Sequence, residues 1–434
     1  MRVVLPTGTA IDTGTRVPMQ PSTTRPCLTD MIRHLARTGA ALTIAALLLT
    51  ACSGDQETPV AKHPVFDRKL GLQVYLALRQ TQKAGGADFV QTMTFESKKG
   101  RAVQTVSGRM DFRKGTGEAT TKWRLSKQLP RETKDTLLGA TPGKGNADPS
   151  ARVLVDLRRI HYRAGSAAYW LQYTTGNTGP DLGIDGIDHL RGSEGPVGGT
   201  LLEGLGATEA TSRRTDGSRR TYEADMSTSA AGQLFPEDLM RELFTPFPTG
   251  SSGKSAPMPA TVSVDGRGRV THVRADLSTT LGKKGSAFED MTSLTIDLRL
   301  SGHGVSKPAT KPDGSVLPAR EAVRSADSVK PGGCVDFSTG QRLLDTVVDV
   351  PCSGAHDGRV FAQRALGAGP YPGSTATREK AADACRAAYD TAPGAWISGS
   401  DRTGHYWHMW PNQKKWEQGG RRASCYVVTT RGTT

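Results

Sequence analysis

Between residues 86 and 302 the apolar side chains recur at every second position, segment after segment, and this alternation constrains the fold more than any other feature of the chain. In SLTIDLRLSG, Leu294, Ile296, Leu298 and Leu300 fall on one side and Thr295, Asp297 and Arg299 on the other. The same period runs through ADFVQTMTFES, RAVQTVSGRMDF, GEATTKWRLS, ARVLVDLRRIHYRA, SAAYWLQY, ATEATSRR, SRRTYEADMS, PATVSVDG and RVTHVRADLS, with Gly, Asp and Ser turns between them. DGRG, residues 265–268, reads as a hairpin turn. One long helix precedes the series: in FDRKLGLQVYLALRQTQ, residues 66–82, Phe66, Leu70, Val74, Ala77, Leu78 and Thr81 return every three to four positions. A second helical piece begins near Pro236, Glu237 and Asp238 and carries Leu239, Met240, Leu243 and Phe244, placed to act as a lid or plug. The expected fold is α+β, with an antiparallel sheet curled as a half-barrel around the leading helix.

This order of parts resembles the LolA-like fold, and within it the actinobacterial lipoproteins of the LppX and LprG kind. The helix at 66–82, SGRMDFRKGTGEAT, RRIHYRAGSAAYWLQY, TVSVDGRGRVTHVRADL and SLTIDLRL carry the resemblance. It implies a half-open barrel over residues 65–304 that shelters an apolar cavity for acyl chains of lipids or lipoproteins. Phe89, Met93, Tyr162, Tyr169, Trp170, Phe235, Leu239 and Leu243 are the candidate lining residues, with Phe95, Tyr173 and Met226 beside them. The alternation is the same whether the concave side is empty or filled by the protein's own side chains, so both readings stand at this point.

At the other end, the run from Ala40 to Cys52 is about 13 residues, short of the roughly 20 needed to cross a bilayer. MIRHLARTG precedes it with Arg33 and Arg37 and no acid, so residues 31–51 read as a signal peptide. Residues 1–30 read as a spurious prefix, with translation expected to begin at Met31. Leu49-Thr50-Ala51-Cys52 resembles the lipobox of bacterial lipoproteins, which implies acylation of Cys52, cleavage after Ala51 and an anchor in membrane lipid on the outer face of the cytoplasmic membrane. Residues 52–64 then form a polar tether. The chain carries 56 basic and 42 acidic residues; from Cys52 onward the balance is 51 to 40, or +11, a sign that suits anionic neighbours.

Residues 305–330 are rich in proline and small polar residues without apolar periodicity, the composition of a linker. Residues 331–434 hold Cys334, Cys352, Cys385 and Cys425, an even number that fits two disulfides in an exported domain. Three pairings exist; the nested one, Cys334 with Cys425 and Cys352 with Cys385, is preferred because it pins both ends of a small disulfide-rich α+β domain. Gly333-Cys334, Val350-Pro351-Cys352-Ser353 with His356-Asp357, Cys385, Trp410-Pro411, Trp416 and Gly420-Arg421 with Cys425 resemble the motif of the septum formation family. The resemblance implies a link to division septa and no catalytic activity. His356 and Asp357, next to a bridged cysteine, are expected to form a local hydrogen-bonded turn. Trp407, Lys414, Lys415, Arg421 and Arg422 form a candidate patch for a cell-wall or division-protein partner, with Trp410 or Trp416 expected in the core.

Metal and enzyme readings find little support. Asp181, Asp185 and Asp188 lack the terminal glutamate of a calcium loop, and His405 with His408 lacks a third zinc ligand, so no metal or cofactor is expected. No nucleophile elbow, HExxH or phosphate loop occurs, and an anchored exterior protein rarely meets nucleic acid. The sequence is therefore read as a non-enzymatic, membrane-anchored envelope scaffold or sensor related to septum formation, the alternative being a carrier of acyl lipid.

Overall fold

The computed structural model describes residues 63–138, 150–156, 159–165, 167–174, 199–244, 258–282, 286–305, 310–337, 346–397, 406–411 and 413–429. Thr58–Thr434 forms one compact unit. A 3-10 turn, Pro64–Asp67, leads into α1, Leu70–Lys83. The apolar period already starts at Phe66, but Arg68 and Lys69 keep extended ψ angles and delay the α-helix to Leu70. Helix α1 buries Gln73, Val74, Ala77, Leu78, Thr81 and Gln82 and leaves Leu72 and Tyr75 exposed.

Twelve strands build the larger sheet: β1 Gly86–Ser97, β2 Gly100–Asp111, β3 Thr116–Leu125, β4 Ser150–Asp156, β5 Arg159–Ala164, β6 Tyr169–Thr174, β7 Glu209–Asp216, β8 Arg219–Met226, β9 Met258–Val264, β10 Val270–Asp276, β11 Met291–Ser301 and β12 Ser315–Pro318. Their order is β12-β6-β5-β4-β3-β2-β1-β11-β10-β9-β8-β7. Alternation places Phe89 opposite Leu300, Met93 opposite Ile296 and Phe95 opposite Leu294 across the β1–β11 pair. The DGRG turn forms as expected: Asp265 Oδ1 accepts the Arg267 and Arg269 amides at 3.0 and 2.9 Å, and Gly268 takes φ +72°, a conformation open to glycine at little cost.

The half-barrel expectation is corrected. The sheet is open, with β12 and β7 at opposite edges, and it is mixed because β12 runs parallel to β6. Helix α1 packs on β7 and β10 near one edge and is not enclosed by the sheet. Period-two patterning fixes which face of each strand is buried; closure depends on whether the first and last strands meet, which patterning does not encode. The α+β class stands.

Residues 315–325, expected within the linker, are structured, and β12 extends the large sheet. The helices after α1 are α2 Arg131–Leu138, α3 Leu201–Gly204, α4 Thr228–Gly232, α5 Glu237–Phe244 and α6 Ala319–Ala322. β13 Val323–Ser325 then opens a second sheet with β14 Cys334–Asp336, β15 Thr346–Val350, β16 Gly358–Ala365, β17 Trp407–Met409 and β18 Arg422–Val428, in the order β13-β15-β14-β16-β18-β17. Val153, Val155, Ile160, Tyr169, Leu171 and Tyr173 of the large sheet share a buried cluster with Ala319, Cys334, Val348 and Val350. The tail is thus packed on the large sheet through apolar contacts.

Inside the tail, α7, Ser374–Tyr389, lays Ala381, Cys385 and Ala388 on Phe361, Cys425 and Trp416. A single helical turn, α8, Gly394–Ile397, follows it. The disulfides join Cys334 to Cys352 and Cys385 to Cys425, which corrects the nested pairing. Cys334 lies opposite Val350 at the end of the β14–β15 pair, so its near neighbour in sequence, Cys352, is also its neighbour in space. Asp357 is fully buried; its carboxylate accepts the Phe337 amide at 3.2 Å, and Thr429 donates to the carbonyls of His356 and Asp357, both at 2.9 Å. Helix α9, Gln413–Glu417, is tied back to residues 325–327 by Lys415, whose Nζ lies 2.8 Å from Asp327 Oδ1 and also donates to Ser325 Oγ.

This packing sets the response to substitution. Leu298→Ala, at a fully buried position, is expected to cost about 2–5 kcal/mol in urea unfolding, whereas Val90→Ala on the exposed face of β1 stays within about 0.5 kcal/mol. Replacing Cys385 and Cys425 by alanine opens a loop of 40 residues and is expected to cost about 4 kcal/mol by loop entropy, measured as a shift in the unfolding midpoint. Burial raises the Asp327 carboxyl pKa, but the hydrogen bonds and charge of Lys415 and the Ser325 hydroxyl outweigh it and hold the group below the ordinary carboxylate range. Its stabilisation is therefore present above the unfolded pKa of about 4 and lost as pH falls through the lower folded value. Asp327→Asn is expected to be less stable by about 1–3 kcal/mol at pH 7, a gap that closes as urea titrations are repeated toward about pH 2.

Candidate functional site

Along β1 the inward row reads Ala87, Phe89, Gln91, Met93, Phe95, all nine-tenths or more buried. An amide in the middle of an apolar row is costly unless both of its ends are bonded. Gln91 meets that demand by reaching the segment that crosses above it: its Nε2 donates to the Gly199 carbonyl at 3.3 Å and its Oε1 accepts the Leu201 amide at 2.8 Å. The polar pair fixes where the chain lands on the sheet, and α3 starts there.

From that point a helical cap covers the face formed by β1, β11, β10, β9 and β8. Leu201, Leu202 and Leu205 come from α3 and the turn after it; Ala230 and Ala231 come from α4; Leu234 and Phe235 follow; Leu239, Leu243 and Phe244 come from α5. Each of these side chains is buried, and Phe235 and Phe244 meet with ring centroids 5.8 Å apart. Leu239 and Leu243 share one face of α5 because their spacing is about one helical turn. At the far side Glu242 Oε1 accepts the Ala287 amide at 3.0 Å, and Phe288 stacks on Phe95 at 5.3 Å. Ser227 Oγ accepts the Ala230 amide at 3.2 Å and caps α4.

Of the candidate lining residues, the structure brings Phe89, Met93, Phe235, Leu239 and Leu243 into this one cluster, together with Phe95 and Met226. It places the others elsewhere. Tyr169 and Tyr173 lie in the cluster between the large sheet and the tail, with Tyr162 packed against it. Trp170 points to the opposite side of β6, where its Nε1 donates to the Asp313 carbonyl at 2.9 Å and the guanidinium groups of Arg163 and Arg152 lie 4.5 and 5.4 Å from its ring. The aromatic pair Tyr169-Trp170 thus faces two ways, as adjacent strand residues must.

The candidate partner patch is distributed too. Trp407 packs on the cluster of Val335, Phe337, Val360 and Tyr426, with Arg131 5.9 Å above its ring. Lys415 is held by Asp327, and Arg421 donates to the Trp416 carbonyl at 3.2 Å while its guanidinium sits 5.7 Å from the Trp416 ring. Trp416 is buried and Arg422 is exposed. Cys52, His405, the loop of Asp181, Asp185 and Asp188, and the Lys414 side chain lie outside the described residues. Gln91 was missed by reading the sequence for apolar residues; the signal was the single amide in the row ADFVQTMTFES. No helix among the described residues is long and apolar enough to cross a membrane.

Comparison with known proteins gives one sequence match and a set of distant structural likenesses. Residues 305–425 match the family model described as Septum formation, which is not an enzyme family. No curated protein matches the chain. Among solved structures, the chain is similar to LprF from Mycobacterium bovis at 13% identity and TM-score 0.29, covering 56% of this chain and 97% of that one. It is similar to the lipoprotein LppX from Mycobacterium tuberculosis at 12% identity and TM-score 0.27, covering 56% and 98%. An uncharacterized conserved protein from Thermus thermophilus aligns at 7% identity and TM-score 0.26, over 57% and 98%. Scores this low carry no argument about function. Residues 305–425 therefore carry a septum formation domain by sequence, and the chain has a weak, partial structural likeness to lipoprotein folds.

Proposed function

We propose that the protein is a non-enzymatic envelope lipoprotein, anchored through Cys52 outside the cytoplasmic membrane, that binds acyl chains of a lipid or lipoprotein between its large sheet and the helical cap. The observation that carries this reading is the make-up of the cap. The segments α3, α4 and α5 are 4, 5 and 8 residues long, and helices of that length do not persist without tertiary support. Burial of leucine and phenylalanine on the sheet holds them, together with hydrogen bonds that include those of Gln91 and Glu242. An acyl chain offers the same apolar contact, at about 0.8 kcal/mol per buried CH₂. Exchange of cap side chains for lipid is therefore close to balanced, a property that a single long helix welded to the sheet would not have.

A second reading, a scaffold or sensor linked to septum formation, has its own support in the family match over residues 305–425. The two readings are separable by experiment. Protein purified from its native host and extracted into organic solvent is expected to release acyl lipid beyond that of its anchor, detected by mass spectrometry. Met93→Trp, which adds volume on the floor beneath the cap, is expected to lower that yield about tenfold while far-UV circular dichroism is retained. Native protein with anchor lipid alone, and recombinant protein that fails to take up a fluorescent fatty acid, would leave the scaffold reading in possession.

A further inference from the structure

We propose that the end of the molecule at which the folded chain begins docks on an anionic lipid surface, so that the protein sits on its membrane in one orientation. This goes beyond acyl binding and does not depend on it, because the surface involved lies outside the cap.

His63 opens the described chain and lies on the β9–β10 turn: a Cβ at Gly268 would come within 2.6 Å of its Nδ1. The β7–β8 turn adjoins, with Ser218 Cβ 2.9 Å from where a Cβ on Gly266 would stand. Arg220 closes the group by placing its guanidinium 4.8 Å from the Phe66 ring. Residues 63–69 and the two hairpin tips are therefore one surface. Arg68, Lys69, Arg213, Arg219 and Arg267 are exposed on it, while Arg214, next to Arg213 on β7, turns to the other face of the strand. Against them stand Asp67, Asp216, Glu209, whose Oε2 lies 3.8 Å from where a Cβ on Gly71 would stand, and Asp265, already engaged by the Arg269 fork at 2.9 and 2.7 Å. The surplus is positive, as an anionic partner requires.

Charge alone would fit many polyanions, and two further features select a lipid surface. Beside the cations, α1 presents Leu72 and Tyr75 at 53% and 37% exposure, and Val305 stands at 49% where the Gly304 amide donates to the Gly86 carbonyl at the foot of β1. Apolar and aromatic side chains rimmed by Lys and Arg are the arrangement that settles at a headgroup boundary. Between α1 and β7 a cleft of about 550 Å³, lined by Phe66, Asp67, Arg68, Leu70, Gln73 and Arg213, has room for a headgroup phosphate, with Arg213 Nη1 3.4 Å from Gln73 Oε1 at its wall. The second feature is position. Cys52 lies 11 residues before His63, so an extended tether reaches at most about 40 Å, and it joins the fold at this end. This second feature rests on the anchor of the proposed function: with Cys52 acylated, the anchor retains the protein and the basic end sets which way it faces.

The test uses the full chain carrying Cys52→Ser, so that acylation plays no part. Its readout is the ratio of binding to vesicles of equal phosphatidylcholine and phosphatidylglycerol over binding to phosphatidylcholine alone. Each basic side chain near an anionic surface is worth about fivefold, so Arg68→Gln/Arg219→Gln/Arg267→Gln is expected to lower that ratio by about a hundredfold. Lys98→Gln/Lys99→Gln/Arg101→Gln removes the same charge at the opposite turn of β1 and is expected to leave the ratio unchanged. A ratio near one for the parent, or an equal fall in both triple variants, overturns the proposal. Loss of the ratio on adding inorganic phosphate at constant ionic strength overturns it as well, by assigning the cleft to free phosphate; persistence of the ratio supports the lipid surface.

Discussion

An open antiparallel run of strands with one apolar face must have that face covered, and the rest of this molecule is arranged around that requirement. Phe89, Met93, Ile296 and Leu298 would each expose most of a side chain to water if the sheet stood alone, at about 1.5–3 kcal/mol apiece. The chain meets the requirement in two ways. Helix α1 covers the β7–β10 edge with a continuous stripe, while β1 and β11 are covered by short pieces delivered between β6 and β9. The two covers differ in kind. Helix α1 is tied by buried amide bonds at both ends, through Gln73 to Tyr222 at 2.8 Å and through Thr81 to the Val270 amide at 2.8 Å. The cap has Gln91 at its start and Glu242 near its end, with apolar contact between. One cover is a single helix of 14 residues and the other a set of helices of 4, 5 and 8 residues on the same sheet.

The other half of the sheet is covered by the tail. β4, β5 and β6 turn Val153, Val155, Ile160, Tyr169 and Leu171 toward Val348 and Val350, and β12 adds a parallel strand beside β6 before the chain enters the second sheet. The tail, which overlaps the residues matching the septum formation model, thus shares a core with the large sheet. The cap on β1 and the tail on β4 are separated by β2 and β3. The disulfides lie wholly within the tail and stiffen it alone.

How much of this was legible depended on whether the signal was local. The row Leu294, Ile296, Leu298, Leu300 gave β11 its face, and DGRG gave its hairpin, because both are set by neighbours in sequence. The core role of Trp416 was likewise readable from composition, whereas Asp357, expected in a local turn, is buried and bonds across to Val335 and Phe337. Sheet closure was not, since it is decided by strands β12 and β7, which lie far apart in the chain. Nor was the disulfide pairing: Cys334 meets Cys352 because β14 and β15 are adjacent, a tertiary fact. The proline-rich stretch at 305–330 hid β12, whose four residues are too few to show a period. Trp170 carries no local sign that its partners are Asp313, far along the chain, and two arginines of β4 and β5.

The claim on which the account turns is that the cap is held less firmly than the sheet beneath it and yields its place to acyl chains. Hydrogen exchange followed by mass spectrometry measures this directly in the intact protein. Peptides from residues 199–244 are predicted to exchange well before those of β1 and β11, and to gain protection when a long-chain fatty acid is added. Cap peptides as slow as β11, with no change on adding the fatty acid, would contradict it.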